Sequence, residues 1–267
     1  MSATITRPAA TGSGLAPLRA LALPVAFLVV WQLWALTLPA DTRAPSPVSA
    51  AEAFVRLSAT GDLPLALLQS IGRVLAGFAI GLVLGTVLGT AMGASPAFRR
   101  NIEPIVESFR PLAPMAILPI AILWFGTGTP AALCLVGYAA FFPMLLSTAQ
   151  GVSRMDRKLV QAARTMGVSR LRIAAKVILP ATLPSIILGA RLSMGVAWTA
   201  IIAAELAVGA KSGEGTSGGI GEMMFVFYSY SIDMNGIVVC MIVVGVVALL
   251  IDRLFRLAEY RLIPWRH

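Results

Sequence analysis

With 58% of its 267 residues hydrophobic and only 12% charged, this chain lies far outside soluble globular usage, where about 25% of residues are charged, and it must be solvated mainly by lipid. A net charge of +9 would suggest nucleic acid in a soluble protein, but in a membrane protein it reflects the Lys and Arg that collect in cytoplasmic loops, and no nucleic-acid partner is expected. The single histidine is the terminal His267 and the cysteines Cys134 and Cys240 fall in apolar runs, so neither a histidine triad nor a multi-histidine metal site can be assembled, and no disulfide, metal or catalytic residue is assigned.

Residues 1–18 are small and polar and are expected to form a flexible cytoplasmic N-terminus. Ala20–Leu38 is apolar over 19 residues, longer than the roughly 7–15 of a cleaved signal core, and is taken as the first span although Arg7 and Arg19 precede it. The outer stretch Ala40–Asp62 follows. In it Ser49 and Glu52 have capping-box spacing and Val48, Ala51, Phe54, Val55 and Ser58 trace one helical face, so a short interfacial helix is predicted.

The second span, charge-free from Val74 to Phe98, carries Gly77, Gly81, Gly85, Gly89 and Gly93. Glycine at every fourth position makes a ridge along which another backbone can approach closely, in the same chain by default or in a second copy. Pro111–Ser153 is a charge-free run of 43 residues with a break at "FGTGTP", Phe125–Pro130, enough for two crossings. Its first half contains Pro111, Pro114 and Pro119. Proline frees backbone carbonyls, which membrane depth tolerates where the backbone is buried in protein or lines an aqueous cavity, so this helix is either kinked or, the favoured reading, the wall of a path.

Next comes a polar, basic stretch, Gly151–Pro180. "RKLVQAARTMG" places Leu159, Ala162, Ala163 and Met166 on one face, with Gly167 positioned to end the helix; Ser169 is a suitable N-cap for a second short helix running to Pro180. Two helices thus meet at a glycine elbow whose small residues suit the grip of another protein, with basic residues as a rim. The fifth span, Leu183–Val208, holds two charges. Arg191 can snorkel to the inner interface or attract an anion near the inner mouth. Glu205 is either a solvated interfacial carboxylate or a helix-pairing or gating group. The Gly/Ser-rich outer segment Ala210–Met224 reads as flexible and contains no phosphate loop. Met234–Ile251 is the last span. Six crossings from an inner N-terminus leave only Arg43, Arg56, Arg73 and Lys211 of the 21 basic residues outside, which orients both termini and the elbow toward the cytoplasm.

The elbow resembles the EAA loop of permease subunits in ATP-binding cassette importers, whose pattern is EAA, three residues, Gly, nine residues, Ile, one residue, Leu-Pro. Ala162, Ala163, Gly167, Leu179 and Pro180 match at that spacing, while Gln161 stands in place of the acidic residue and Val177 in place of the isoleucine. "SPVSAAEAFVRL", "SIGRVLAGFAIGLVLGTVLG", "RPLAPMAILPIAILWFGTG", "AAFFPMLLSTAQGV" and "GARLSMGVAWTAIIAAEL" are similar to stretches of the permeases for nitrate, aliphatic sulfonates, taurine and bicarbonate, in the same order over Pro45 to Arg256. The outer "KSGEGTSGG", Lys211–Gly219, is longer than that group leads one to expect.

The resemblance implies an all-α, polytopic, type I importer (MetI-like) fold in a bacterial inner membrane. It divides the chain into a permease domain, residues 19–257 with a core from 66 and a coupling loop at 152–180, and a cytoplasmic tail, 258–267. It also implies a second permease copy, an extracytoplasmic solute-binding protein and cytoplasmic ATPase subunits that use ATP-Mg, with no cofactor and no enzymatic activity in this chain. Gln161, Ala162, Ala163, Arg164, Gly167, Arg170, Leu179 and Pro180 would form the ATPase-coupling surface; Pro111, Pro114, Pro119, Arg191 and Glu205 are candidates for the path or its gate. The expected cargo is a small solute, an anion such as nitrate, sulfonate, taurine or bicarbonate, or another organic solute of the same importer class. An ion-coupled secondary transporter is the alternative from another class. It would show inverted repeats with paired broken helices and membrane carboxylates, whereas here one proline-broken helix stands without a matching half.

Overall fold

The computed structural model describes residues 16–37, 44–212 and 218–262. Among these residues every regular element is helical. The first, α1 (Ala16–Thr37), precedes α2 (Pro47–Ala59) and the long α3 (Asp62–Ala94). α4 (Pro96–Phe109) and α5 (Pro114–Phe125) form a pair bent by 94°. α6 (Thr129–Arg154) leads to the short α7 (Arg157–Thr165) and α8 (Arg170–Ile173), then a π-turn (Ala174–Ile178) and α9 (Leu179–Ser212). α10 (Ile220–Val226), a second π-turn (Phe227–Ser231) and α11 (Met234–Leu262) complete the chain. The N-terminal residues 1–15, the tail from 263 and residues 213–217 of the outer Gly/Ser segment lie outside the described residues.

Four helices, α3, α6, the continuous Leu171–Ala207 and α11, are long and apolar enough to cross a bilayer. The bent pair adds a fifth crossing if it is counted as one, and α1, apolar over Ala22–Thr37, supplies a sixth candidate. Six spans are consistent with this architecture. α5 alone, at 12 residues, rises only about 18 Å, so the stretch from Pro111 to Phe125 is too short to be the third crossing by itself.

The centre of the molecule is the packing of α6 against α3 on one side and α9 on the other. Val74, Leu135, Val136, Ala140, Trp198 and Ile201 form its buried core. The glycine ridge is what lets α3 in. A Cβ on Gly81 would sit 2.6 Å from the Gly137 carbonyl oxygen, and one on Gly85 2.8 Å from Met144 Cβ. All five ridge glycines face α6, so the intrachain partner predicted by default is the one observed. Leu68, Leu84, Val87 and Leu249 point outward, as the apolar solvent of a membrane allows.

Three expectations are corrected. The cap of α2 is Ser46, whose Oγ accepts from the Ser49 N–H at 3.1 Å while Ser49 Oγ accepts from the Ser46 N–H at 3.0 Å. Glu52 takes no part in the cap, because Pro47 starts the helix three residues earlier, with its φ already set for N1. Ala50, Ala53 and Leu57 form the buried side of α2, and Val48, Phe54 and Val55 face out. Second, Arg73 belongs to α3 rather than to the outer loop, since α3 begins at Asp62. Third, Pro180 does not end the second elbow helix. The π-turn placed just before it widens the backbone where the ring would otherwise crowd the preceding carbonyls, so the helix runs on into α9.

Candidate coupling surface and translocation wall

The elbow is held by backbone geometry and a small core of its own. Asp156 caps α7, its carboxylate accepting from the Lys158 N–H at 2.9 Å. At the other end Gly167 has φ of 73°; its N–H bonds the Arg164 carbonyl at 3.0 Å and the Val168 N–H bonds the Ala163 carbonyl at 3.1 Å. These two bonds are a Schellman motif, the helix stop that glycine in the left-handed region permits. Ala163, Val152, Ile173 and Ile178 are buried together, with Val160 and Val168 packed on them. Of the face expected on α7, Ala163 is the buried member, while Leu159, Ala162 and Met166 are exposed. Gln161 and Arg164 are exposed beside them; the side chain of Arg170 lies outside the described residues.

Met166 is 73% and Leu171 84% exposed. Met166 belongs to the face the sequence places on α7, whereas Leu171, just beyond "GVSR", was not singled out there. Behind the elbow a groove of about 750 Å³ separates it from the C-terminal end of α3, with Thr86, Thr90, Gln161, Arg164 and Leu179 among its lining. Leu179 and Pro180 open α9, so the candidate coupling residues adjoin a helix long and apolar enough to cross a bilayer.

The prolines occupy three distinct positions. Pro111 sits in the break between α4 and α5, Pro114 is at the start of α5 where a missing N–H costs nothing, and Pro119 is inside α5. At the break the Phe109 carbonyl accepts from the Leu112 N–H at 3.1 Å and from the Tyr138 hydroxyl at 2.7 Å, which ties the turn to α6. α5 buries Leu118 and Ala121 and turns Leu123, Trp124 and Phe125 outward.

Arg191 and Glu205 stand 14 positions apart on α9, about 21 Å along its axis, and do not meet. Arg191 donates through Nε to Asp252 Oδ1 at 2.7 Å and lies 3.9 Å from Glu259, while Arg256 takes the other Asp252 oxygen at 2.9 Å. The arginine therefore joins α9 to α11 in the half of α9 nearer the elbow. Glu205 is 3% exposed, which removes the solvated-surface reading and leaves that of a helix-pairing or gating group. Its Oε1 accepts from Arg73 Nη1 at 3.0 Å, and its Oε2 accepts from Ser70 Oγ at 2.7 Å and the Gly221 N–H at 3.1 Å. Ser70 Oγ in turn accepts from the Ile220 N–H at 2.9 Å, and Arg73 Nε donates to Thr129 Oγ1 at 3.2 Å. The second half of the outer segment is thus a docked helix, α10, and not a flexible loop.

Comparison with known proteins agrees with this geometry. The chain is 34% identical to SsuC of Bacillus subtilis, named for aliphatic sulfonates transport, over 94% of this chain and 88% of that one. It is 31% identical to the taurine transport system permease protein TauC of Escherichia coli, over 91% and 87%, and 30% identical to the nitrate import permease protein NrtB of Leptolyngbya laminosa, over 92% and 88%. In fold it is similar to an inward-facing structure of the MetNI methionine ABC transporter, with a TM-score of 0.61 at 18% identity, over 73% of this chain and 93% of that one. Residues 77–264 match the family described as binding-protein-dependent transport system inner membrane component. That match, with the helical core around the glycine ridge, makes this chain a member of that family: a membrane-embedded transport subunit of ABC importers rather than an enzyme.

Proposed function

We propose that two copies of this chain form the translocation path of an ATP-driven importer in a bacterial inner membrane, with both termini in the cytoplasm. Cytoplasmic ATPase subunits, which bind and hydrolyse ATP-Mg, drive it through the 152–180 loop, and an extracytoplasmic binding protein delivers the solute. The observation that carries the reading is the rigid elbow. A Schellman stop at Gly167 fixes the angle between α7 and α8, and α8 continues into α9 without a break. A push on α7 is therefore transmitted into the membrane instead of being absorbed by a loose loop. Gln161, Ala162, Ala163, Arg164, Gly167 and Arg170, with Leu179 and Pro180 behind them, are assigned to docking, and the exposed Met166 and Leu171 join them. Pro111, Pro114 and Pro119 are assigned to the wall of the path. The cargo is a small sulfonate or oxyanion, by similarity to relatives named for sulfonates, taurine and nitrate.

Proteoliposomes holding the permease, its ATPase and its binding protein are expected to accumulate taurine or an alkanesulfonate only with ATP on the ATPase side. Accumulation driven by an ion gradient, with no ATPase present, would instead identify a secondary transporter. Nitrate in parallel assays separates the cargo classes. Arg164→Glu places a like charge against a partner that accepts a basic rim. It should cut the ATPase retained on purification by about tenfold or more, since such juxtapositions cost several kcal/mol. Unchanged retention would remove Arg164 from the rim.

A further inference from the structure

α10 is seven residues long and lies between two unusual stretches of backbone. Before it, Gly218 has φ of 31°. After it the chain passes through the Phe227–Ser231 π-turn to Ile232, at φ 48° and ψ 40°. Among the described residues Ile232 is the one non-glycine residue with positive φ, and a β-branched side chain there is strained. Such strain persists only where neighbours impose it. Here the Asp233 N–H bonds the Phe227 carbonyl at 3.0 Å, Asp233 Oδ1 accepts from the Gly236 N–H at 3.0 Å, and Oδ2 accepts from Arg56 at 2.8 Å.

The opposite end of α10 is fastened by the polar cluster at Glu205. Its approach leaves no slack: a Cβ on Gly219 would collide with the Glu205 carboxylate, and one on Gly221 would lie 2.7 Å from Glu205 Cβ. We propose that Glu205, Ser70 and Arg73 are the clasp of an outer gate whose moving part is α10, with the strained turn at Ile232 as the spring that favours opening. Glu205 of α9 holds Ser70 and Arg73 of α3 directly, and clasped α10 docks onto that pair through the Gly221 N–H on Glu205 and the Ile220 N–H on Ser70. When the helix swings away, Glu205 loses the Gly221 N–H and Ser70 loses the Ile220 N–H together, and water replaces both at this end, where the Arg73 side chain is 12% exposed. Buried ion pairs are poor stabilisers relative to apolar packing and better suited to fixing one of two arrangements. The inference rests on the transport reading above, because α9 runs unbroken from the elbow to this clasp.

Hydrogen exchange at the amides of Ile220 and Gly221, both donors in the clasp, reads its state. In the isolated permease in lipid nanodiscs, Glu205→Gln should speed exchange over residues 218–226 by about tenfold or more, the factor expected for loss of one hydrogen bond to a charged group, while α6 amides keep their rates. Ile232→Asn, which tolerates the left-handed region, should slow exchange in the same peptide. Acceleration spread evenly over all helices in Glu205→Gln, or no slowing in Ile232→Asn, overturns the clasp. In the complete transporter, turnover with ATP and the loaded binding protein should raise exchange at 220–221 over the nucleotide-free state. Uptake with unchanged exchange there overturns the gate and leaves the transport reading intact. Absence of ATP-dependent uptake sinks that reading instead, and the two variants in the isolated permease still decide the clasp.

Discussion

Gly167→Val is expected to insert and accumulate like the parent protein, yet to lose ATP-coupled uptake by at least about tenfold, while the partner ATPase keeps its basal activity. Two observations set this outcome. Nothing lies within 4 Å of a Cβ built on Gly167, so no packing is disturbed and the membrane core has no reason to respond. The backbone, in contrast, is at φ 73°, where an L-residue is disfavoured by roughly 1–2 kcal/mol and a β-branched one by more. The cheapest relief is to abandon the Schellman bonds from the Gly167 and Val168 N–H groups, which lets α7 swing relative to α8. A freely swinging α7 is the loose loop that the proposed mechanism excludes. Gly167→Asn, which accepts the left-handed region at small cost, should keep most of the uptake. Uptake assays with both variants at matched protein levels make the test, and full uptake by Gly167→Val would remove the elbow from the coupling route.

What could be read in advance divides along a physical line. Features that depend on local chemistry were legible. The charge-free runs mark lipid-crossing helices because hydrocarbon length sets their extent, and Gly167 announced its left-handed stop because few other residues adopt that conformation. The glycine ridge also declared itself, because a four-residue period on a helix can only be a face. Features that depend on a distant partner were not legible. Arg73 reads as a loop cation until Glu205, 132 positions later, is seen beside it at 3.0 Å. "SGGIGEMM" reads as a flexible linker until its glycines are placed against that carboxylate. The 94° bend between α4 and α5 is braced by the distant Tyr138, and proline alone does not distinguish a gentle kink from a complete turn. Arg191 reads as free for an anion until α11 brings Asp252 to it.

The second large effect belongs to the ridge. Gly81→Leu is expected to leave no folded protein in the membrane fraction, and even Gly81→Ala should destabilise clearly, whereas Gly72→Ala, with nothing within 4 Å of its Cβ, should be silent. At position 81 an added carbon would be 2.6 Å from the Gly137 carbonyl oxygen and 2.7 Å from Ala140 Cβ; the first of these is backbone and cannot rotate away. Sliding α3 along α6 gives no escape, because the other ridge glycines meet Val136, Met144, Leu145 and Val152 in the same way. The helices must therefore separate, opening the core around Val74, Leu135, Val136 and Ala140. In a bilayer no hydrophobic drive between helices compensates for packing lost in this way. Overpacking by one methyl costs about 1–3 kcal/mol, and at about 2–4 °C per kcal/mol for a chain of this size the melting temperature of Gly81→Ala should fall by several degrees. Thermal melts in detergent of Gly81→Ala and Gly72→Ala, with solute uptake per folded molecule measured beside them, separate the two roles of glycine here. The ridge variant should melt early but couple normally while folded, and Gly167→Val should do the reverse. Equal melting of Gly81→Ala and Gly72→Ala would show that α3 does not depend on this close approach.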